Sequence, residues 1–125
     1  MTVFTEGRHA GEYLIWEADP SYSRETGTVA SGENLAAGTV LKDDGTGKLV
    51  AATGDLATDG SLQEAAVGVL YDNVDATAGD IAGAVYTARS STVELAALTY
   101  PAETTSGGEQ AAIIASLLAA GIRTR

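Results

Sequence analysis

Apolar residues in this chain come in short runs separated by Gly, Asp and Asn. Residues 35–41 (Leu-Ala-Ala-Gly-Thr-Val-Leu) and 48–51 (Lys-Leu-Val-Ala) flank a polar stretch, 42–47, with Asp44 and Gly45 in its middle. Gly takes the positive φ of a tight or bulged hairpin at little steric cost, so the pattern predicts strand, hairpin, strand. A third run, 65–71, is apolar, holds β-branched residues and is bounded by turn formers, which predicts a buried strand. Residues 79–88, with Ile81, Val85 and Tyr86 among small residues, predict another. Residues 92–95 and 97–100 continue the β character until Pro101 stops it. From Glu109 the period changes. Ile113, Ile114, Leu117 and Leu118 fall on one side of a short helix, and Gly121 is placed to cap its C-terminus. The polar stretches 52–64 and 72–75 read as a surface loop and a turn. Short strands at close spacing with one helix predict a mostly β domain of the α+β class.

The leading residues are patterned differently. Residues 1–11 mix polar and small types with Gly7 and Gly11 and show no period, so they read as a mobile arm. Residues 12–17 then form a compact β-type run containing Tyr13 and Trp16. Alone, such a strand exposes large apolar side chains and unpaired backbone groups, so it needs a cover. Pairing within its own sheet and pairing with another chain both remain open. Asp19-Pro20-Ser21 ends the run, since Pro lacks a donor and fixes φ. Residues 23–29 are polar and β-capable, suited to adding to a neighbouring sheet edge with Val29 helping to set register.

The order of these pieces resembles the head decoration proteins of tailed bacteriophages, the lambda protein D family. The likeness runs through Ala-Ala-Gly-Thr-Val-Leu, Gly-Lys-Leu-Val, an Asp-Gly loop and Ala-Val-Gly-Val-Leu-Tyr-Asp-Asn-Val-Asp-Ala-Thr. It extends to residues 9–14 and 22–26 at the front and 117–125 at the end. The resemblance implies a small β-barrel or β-tulip-like domain with one short C-terminal helix and an extended N-terminal arm. It divides the chain into a capsid-binding arm, 1–30, and a globular decoration domain, 31–125. It further implies a homotrimer at local threefold positions on the outer surface of the expanded head, clamping the major capsid protein against the pressure of packaged DNA. Tyr13, Leu14, Ser23, Arg24, Glu25, Thr26 and Val29 are carried over as capsid contacts. The chain departs from the lambda protein in a longer arm with Trp16.

Composition narrows the picture. A chain of 125 residues fits one domain, small enough for its stability to lean on association. Apolar residues make up 45%, but alanine inflates the share, and one Phe and one Trp leave a thin core. The net charge of −10 repels phosphate backbones and anionic headgroups, which argues against nucleic acid and membrane partners. Without cysteine there is neither a disulfide framework nor a thiolate metal site. No signal-peptide core precedes residue 12, and the apolar stretch 111–121 is too short to cross ~30 Å of hydrocarbon. The expectation is a soluble protein, in the host cytoplasm during assembly and then on the virion.

Candidate chemistry is sparse. Gly45 and Gly47 precede Lys48, but a phosphate loop needs Gly and Ser or Thr where Lys42 and Leu49 stand, so a hairpin turn is the better reading. His9 has no second imidazole for a zinc site. Asp72, Asp75 and Asp80 lack the alternation and closing Glu of a calcium loop, and turn chemistry accounts for them. Ser90, Ser91 and Ser106 lie outside any nucleophile elbow. Seventeen acids always offer carboxylate pairs, but nothing singles one out. No enzyme and no cofactor is expected. The alternative is a small β module recognising a carbohydrate or peptide on a phage tail or surface appendage, with Trp16 and the tyrosines as its rings.

Overall fold

The computed structural model describes residues 9–53, 56, 63–100 and 107–125. The first eight residues of the expected mobile arm, most of the 52–64 loop and the strand stop at Pro101 lie outside them. The described residues form ten strands: β1 (Leu14–Glu17), β2 (Arg24–Val29), β3 (Asn34–Leu35), β4 (Val40–Asp43), β5 (Leu49–Ala51), β6 (Ala66–Leu70), β7 (Val74–Asp75), β8 (Ile81–Thr87), β9 (Ser91–Val93) and β10 (Ile122–Thr124). A short helix α1 (Pro20–Ser23), a 3₁₀ turn (Leu95–Ala97) and the main helix α2 (Glu109–Ala119) complete them. Strands close into a barrel in the order β2-β5-β4-β6-β8, a second sheet runs β1-β9-β10, and β3 pairs with β7. The domain is therefore mostly β with one principal helix near its C-terminus.

The β4–β5 hairpin forms where the Asp-Gly pattern places it. Asp44 accepts from the Thr46 backbone N–H at 2.8 Å and its hydroxyl at 2.6 Å, while Gly45 and Gly47 hold φ of 94° and 92°. Lys42 and Asp43, expected in the turn, remain in β4 opposite Val50 and Leu49. Upstream, the apolar run does not continue back as one strand. Gly38 at φ 90° turns the chain, its N–H donating to Leu70 O at 2.8 Å, so Leu35 pairs with Val74 in a separate ribbon.

Closure of the barrel depends on few pairings. Val69 and Leu70 face Thr87 and Tyr86 across the β6–β8 seam, and β2 meets β5 in parallel only at Val29 and Leu49. Gly68 permits the seam: a Cβ there would lie 2.2 Å from the Thr87 carbonyl oxygen. Inside the barrel pack Val29, Leu35, Leu41, Leu49, Leu70, Ala76 and Ala84. A second core, including Tyr13, Val40, Val69, Val93, Ile113, Leu117 and Ile122, joins the barrel wall to the β1-β9-β10 sheet and α2.

Tyr13 fastens these layers together. It is fully buried, its hydroxyl lies 2.7 Å from Thr87 Oγ1, and it donates to Val69 O at 3.2 Å. Burial pushes its pKa from 10.0 up to about 12, the bond with Thr87 opposing the rise. Since the folded value lies above the unfolded one and the protonated form is neutral, stability is unaffected below pH 10. It then falls as pH rises from 10 to 12, by about 2 to 3 kcal/mol. Urea midpoints across that range should fall steeply for the native chain and less for Tyr13→Phe. A residual slope is expected from Tyr86, whose pKa burial also raises.

Two chain reversals depart from expectation. Asp19-Pro20 does end β1, but the chain then enters α1, with Asp19 Oδ1 accepting from Ser21 N at 2.9 Å and Pro20 at the first helical position. Leu95 and Ala97, expected in two extended runs, instead coil with the residue between them into the 3₁₀ turn, and Thr99 bridges Thr39. Gly121 at φ 93° does stop α2, after which β10 runs parallel to β9.

Candidate functional site

The leading strands belong to the body. β1 pairs antiparallel with β9, and β2 is a barrel strand pairing with β8 through Arg24–Thr87, Glu25–Tyr86, Thr26–Val85 and Gly27–Ala84. Both strands thus pair into the same sheets as the later ones. Ahead of β1 the chain is already tied to the body, since Gly11 N–H donates to Tyr71 O at 2.8 Å and Tyr13 is sealed in the core. The physical reason is that the run around Tyr13 and Val29 found apolar cover within its own chain.

The residues expected to contact a capsid divide by orientation. Tyr13, Ser23 and Val29 are fully buried and act inward. Ser23 donates to Glu17 Oε2 at 3.1 Å, and its carbonyl accepts from Ala88 N at 2.8 Å and Arg89 N at 3.2 Å. Leu14 is half-buried against the core that Tyr13 anchors. Arg24 grips Glu17 through Nε at 3.1 Å and Nη2 at 2.6 Å, and its guanidinium lies 4.1 Å from the centroid of the Tyr71 ring. Hydrogen bonding to Glu17 raises the Arg24 pKa, keeping it cationic. Glu25 and Thr26 are exposed, Glu25 paired with Arg89 at 2.7 Å.

On the surface, Arg24, Glu25, Thr26, Pro20, Ser21 and Val85 line an open depression of about 460 Å³. A second hollow of about 410 Å³ lies between residues 71–74 and the first part of β8, with Tyr71, Asp72, Val74 and Ile81 on its walls. The two adjoin, since Val85 borders both and Arg24 of one stacks on Tyr71 of the other. The chain enters this region at Gly11, whose N–H donates to Tyr71 O at 2.8 Å. A Cβ at Gly11 would stand 2.8 Å from the Tyr71 ring, so only glycine permits the approach.

The most exposed large apolar groups here fall outside the contacts expected from the sequence. Ile15 and Trp16 of β1 and Tyr22 of α1 are 48%, 59% and 56% exposed. A register shift between Leu14 and Trp16 disturbs the alternation, and such a bulge has no signature in this sequence. β1 is also the edge of its sheet among the described residues, so one side of its backbone is available for pairing. The tyrosines do not share one exposed platform: Tyr13 is buried, Tyr71 is covered by Arg24, and Arg89 lies 5.3 Å from the Tyr22 ring centroid. Asp72, Asp75 and Asp80 are engaged in turns and an ion pair. Asp72 accepts from Asn73 N, Asp75 from Thr77, and Asp80 from Ser31 N and Lys48. Those bonds hold Asp75 and Asp80 below the usual carboxylate range. His9 is exposed.

The surface therefore offers an apolar strand edge and two adjoining hollows. Among the described residues no helix is long and apolar enough to cross a membrane. Among curated proteins no relative matches the sequence. The family model for the bacteriophage lambda head decoration protein D matches residues 3–122, nearly the whole chain. With a match of that extent over this β architecture, the chain belongs to the lambda head decoration protein D family.

Proposed function

We propose that this protein is a structural component of the virion that binds the outer surface of the expanded phage head as homotrimers at local threefold positions. There it stabilises the shell of major capsid protein against the internal pressure of packaged DNA. The observation that carries the reading is the family match over residues 3–122. In this reading Ile15, Trp16 and the free edge of β1 supply the apolar and main-chain contacts, with Leu14, Arg24, Glu25 and Thr26 beside them. Tyr13, Ser23 and Val29 hold that surface in place from within. A strand edge gives affinity through backbone hydrogen bonds, and burying Trp16 adds about 25 cal/mol per Å² of apolar surface covered. Each contact is small. Three copies joined in a trimer raise the effective concentration of the second and third contacts and convert weak adhesion into durable attachment.

The test is cosedimentation with expanded heads lacking their decoration protein. Ile15→Ser combined with Trp16→Ser should keep the native circular dichroism, because both side chains are exposed, and should weaken binding at least about tenfold. Undiminished binding by the folded double variant would remove β1 from the contact. Sedimentation equilibrium should give about three times the 12.6 kDa chain mass; a strict monomer at micromolar concentration would refute the trimer.

A further inference from the structure

We infer that the hollow beside β8 is a docking slot for an extended segment of the shell protein in which apolar residues alternate with Lys or Arg. The inference rests on the capsid-binding reading and names a second contact within it.

The slot exists because the barrel seam stops short. β6 pairs with β8 only at Val69–Thr87 and Leu70–Tyr86, and the last bond across the seam runs from Tyr71 N to Val85 O at 3.0 Å. Ile81 to Ala84 therefore have a strand partner, β2, on one side only among the described residues. Unpaired N–H and C=O groups on that side form a template for an added strand. The opposite wall, residues 71–74, leaves a hollow of about 410 Å³, and Val74, Ile81 and Ala82 give it an apolar lining. Ile81 is 40% exposed there, a large apolar side chain left uncovered. Gly83, at φ 76°, has no atom within 4 Å of where a Cβ would stand, so a second backbone can come close.

Charge selects the occupant. Asp72 lines the hollow. Its carboxylate accepts from Asn73 N, and among the described residues it pairs with no cation. Asp80, by contrast, is neutralised by Lys48 at 2.7 Å. In a chain of net charge −10 an acidic segment is repelled, whereas a cation beside Asp72 completes the rim. The slot is also continuous with the Arg24–Thr26 surface through Val85, so one partner can span both.

Hydrogen exchange on the full chain, free and bound to expanded heads, tests this. Amides of residues 81–85 should exchange at least about tenfold more slowly on the heads than in the free protein. Asp72→Asn keeps the acceptor for Asn73 N while removing the charge, and should weaken head binding about fivefold, with a shallower salt dependence. Binding to heads without protection of 81–85 overturns the slot and leaves the capsid reading standing. Protection already complete in the free protein overturns it by assigning the slot to this chain or to a second copy. If the native chain fails to bind heads at all, the capsid reading itself falls.

Discussion

Gly68→Ala is expected to destabilise the protein by about 3 to 5 kcal/mol, a large share of the stability of a domain this size. The added methyl would lie 2.2 Å from the Thr87 carbonyl oxygen and 2.7 Å from the Tyr86 ring. The ring can rotate away, but the carbonyl belongs to the β6–β8 seam and moves only if the seam opens. That seam is held by two residue pairs, Val69–Thr87 and Leu70–Tyr86, and Thr87 also carries the contact with the Tyr13 hydroxyl. One methyl therefore strains the barrel closure and the junction between the two cores together. Thermal unfolding followed by circular dichroism should show a midpoint lower by about 10 to 20 °C. Gly45→Ala is the control. Its site has open space but a φ of 94°, so only backbone strain of about 1 to 2 kcal/mol is expected. A Gly68→Ala midpoint no lower than that of Gly45→Ala would show that the seam yields freely.

Removing residues 1–29 is expected to abolish cooperative folding. The deletion takes away β1, α1 and β2. Without β2 the barrel loses its link between β5 and β8, leaving two bare edges, and Val29 disappears from the inner core. Without Tyr13 the outer core loses its largest fully buried side chain, and Thr87 loses its hydroxyl partner. Each such core truncation costs about 3 to 5 kcal/mol, which together consumes the stability of an ordinary domain. A chain starting at His9 keeps every described element and should unfold in a single sharp transition. The 30–125 fragment should show a poorly dispersed amide spectrum and no such transition. A well-folded 30–125 fragment would contradict the pairing of β2 with β8 and restore a detachable arm of that length.

How far the fold could be read in advance varied with the range of the interaction. The β4–β5 hairpin was legible because Asp44, Gly45 and Thr46 settle their turn among themselves. The helix α2 and its stop at Gly121 were legible for the same local reason, but of the expected stripe only Ile113 and Leu117 are buried, while Ile114 is half-buried and Leu118 is exposed. The break at Gly38 was not, since whether a glycine in an apolar run turns the chain depends on what receives its N–H, here Leu70 O. Exposure was half legible. Of the residues expected at the capsid, Glu25 and Thr26 are exposed and Arg24 partly so, whereas Tyr13, Ser23 and Val29 are buried. Ile15 and Trp16, the exposed pair, depend on a bulge.

By itself, then, the sequence determined what neighbours in the chain can settle: strand-length apolar runs, the Asp-Gly turn, the capped final helix, an acidic and cysteine-free surface, and the order of segments that marks the family. The tertiary structure alone decided which runs are sealed and which are offered. Burial is set by partners far along the chain. Tyr13 is hidden because Thr87 and Val69 meet it, and Ile81 is open because β6 ends before reaching it. Strands of similar composition thus become core or exposed surface according to whether the fold supplies a second neighbour, and the local pattern does not encode that choice.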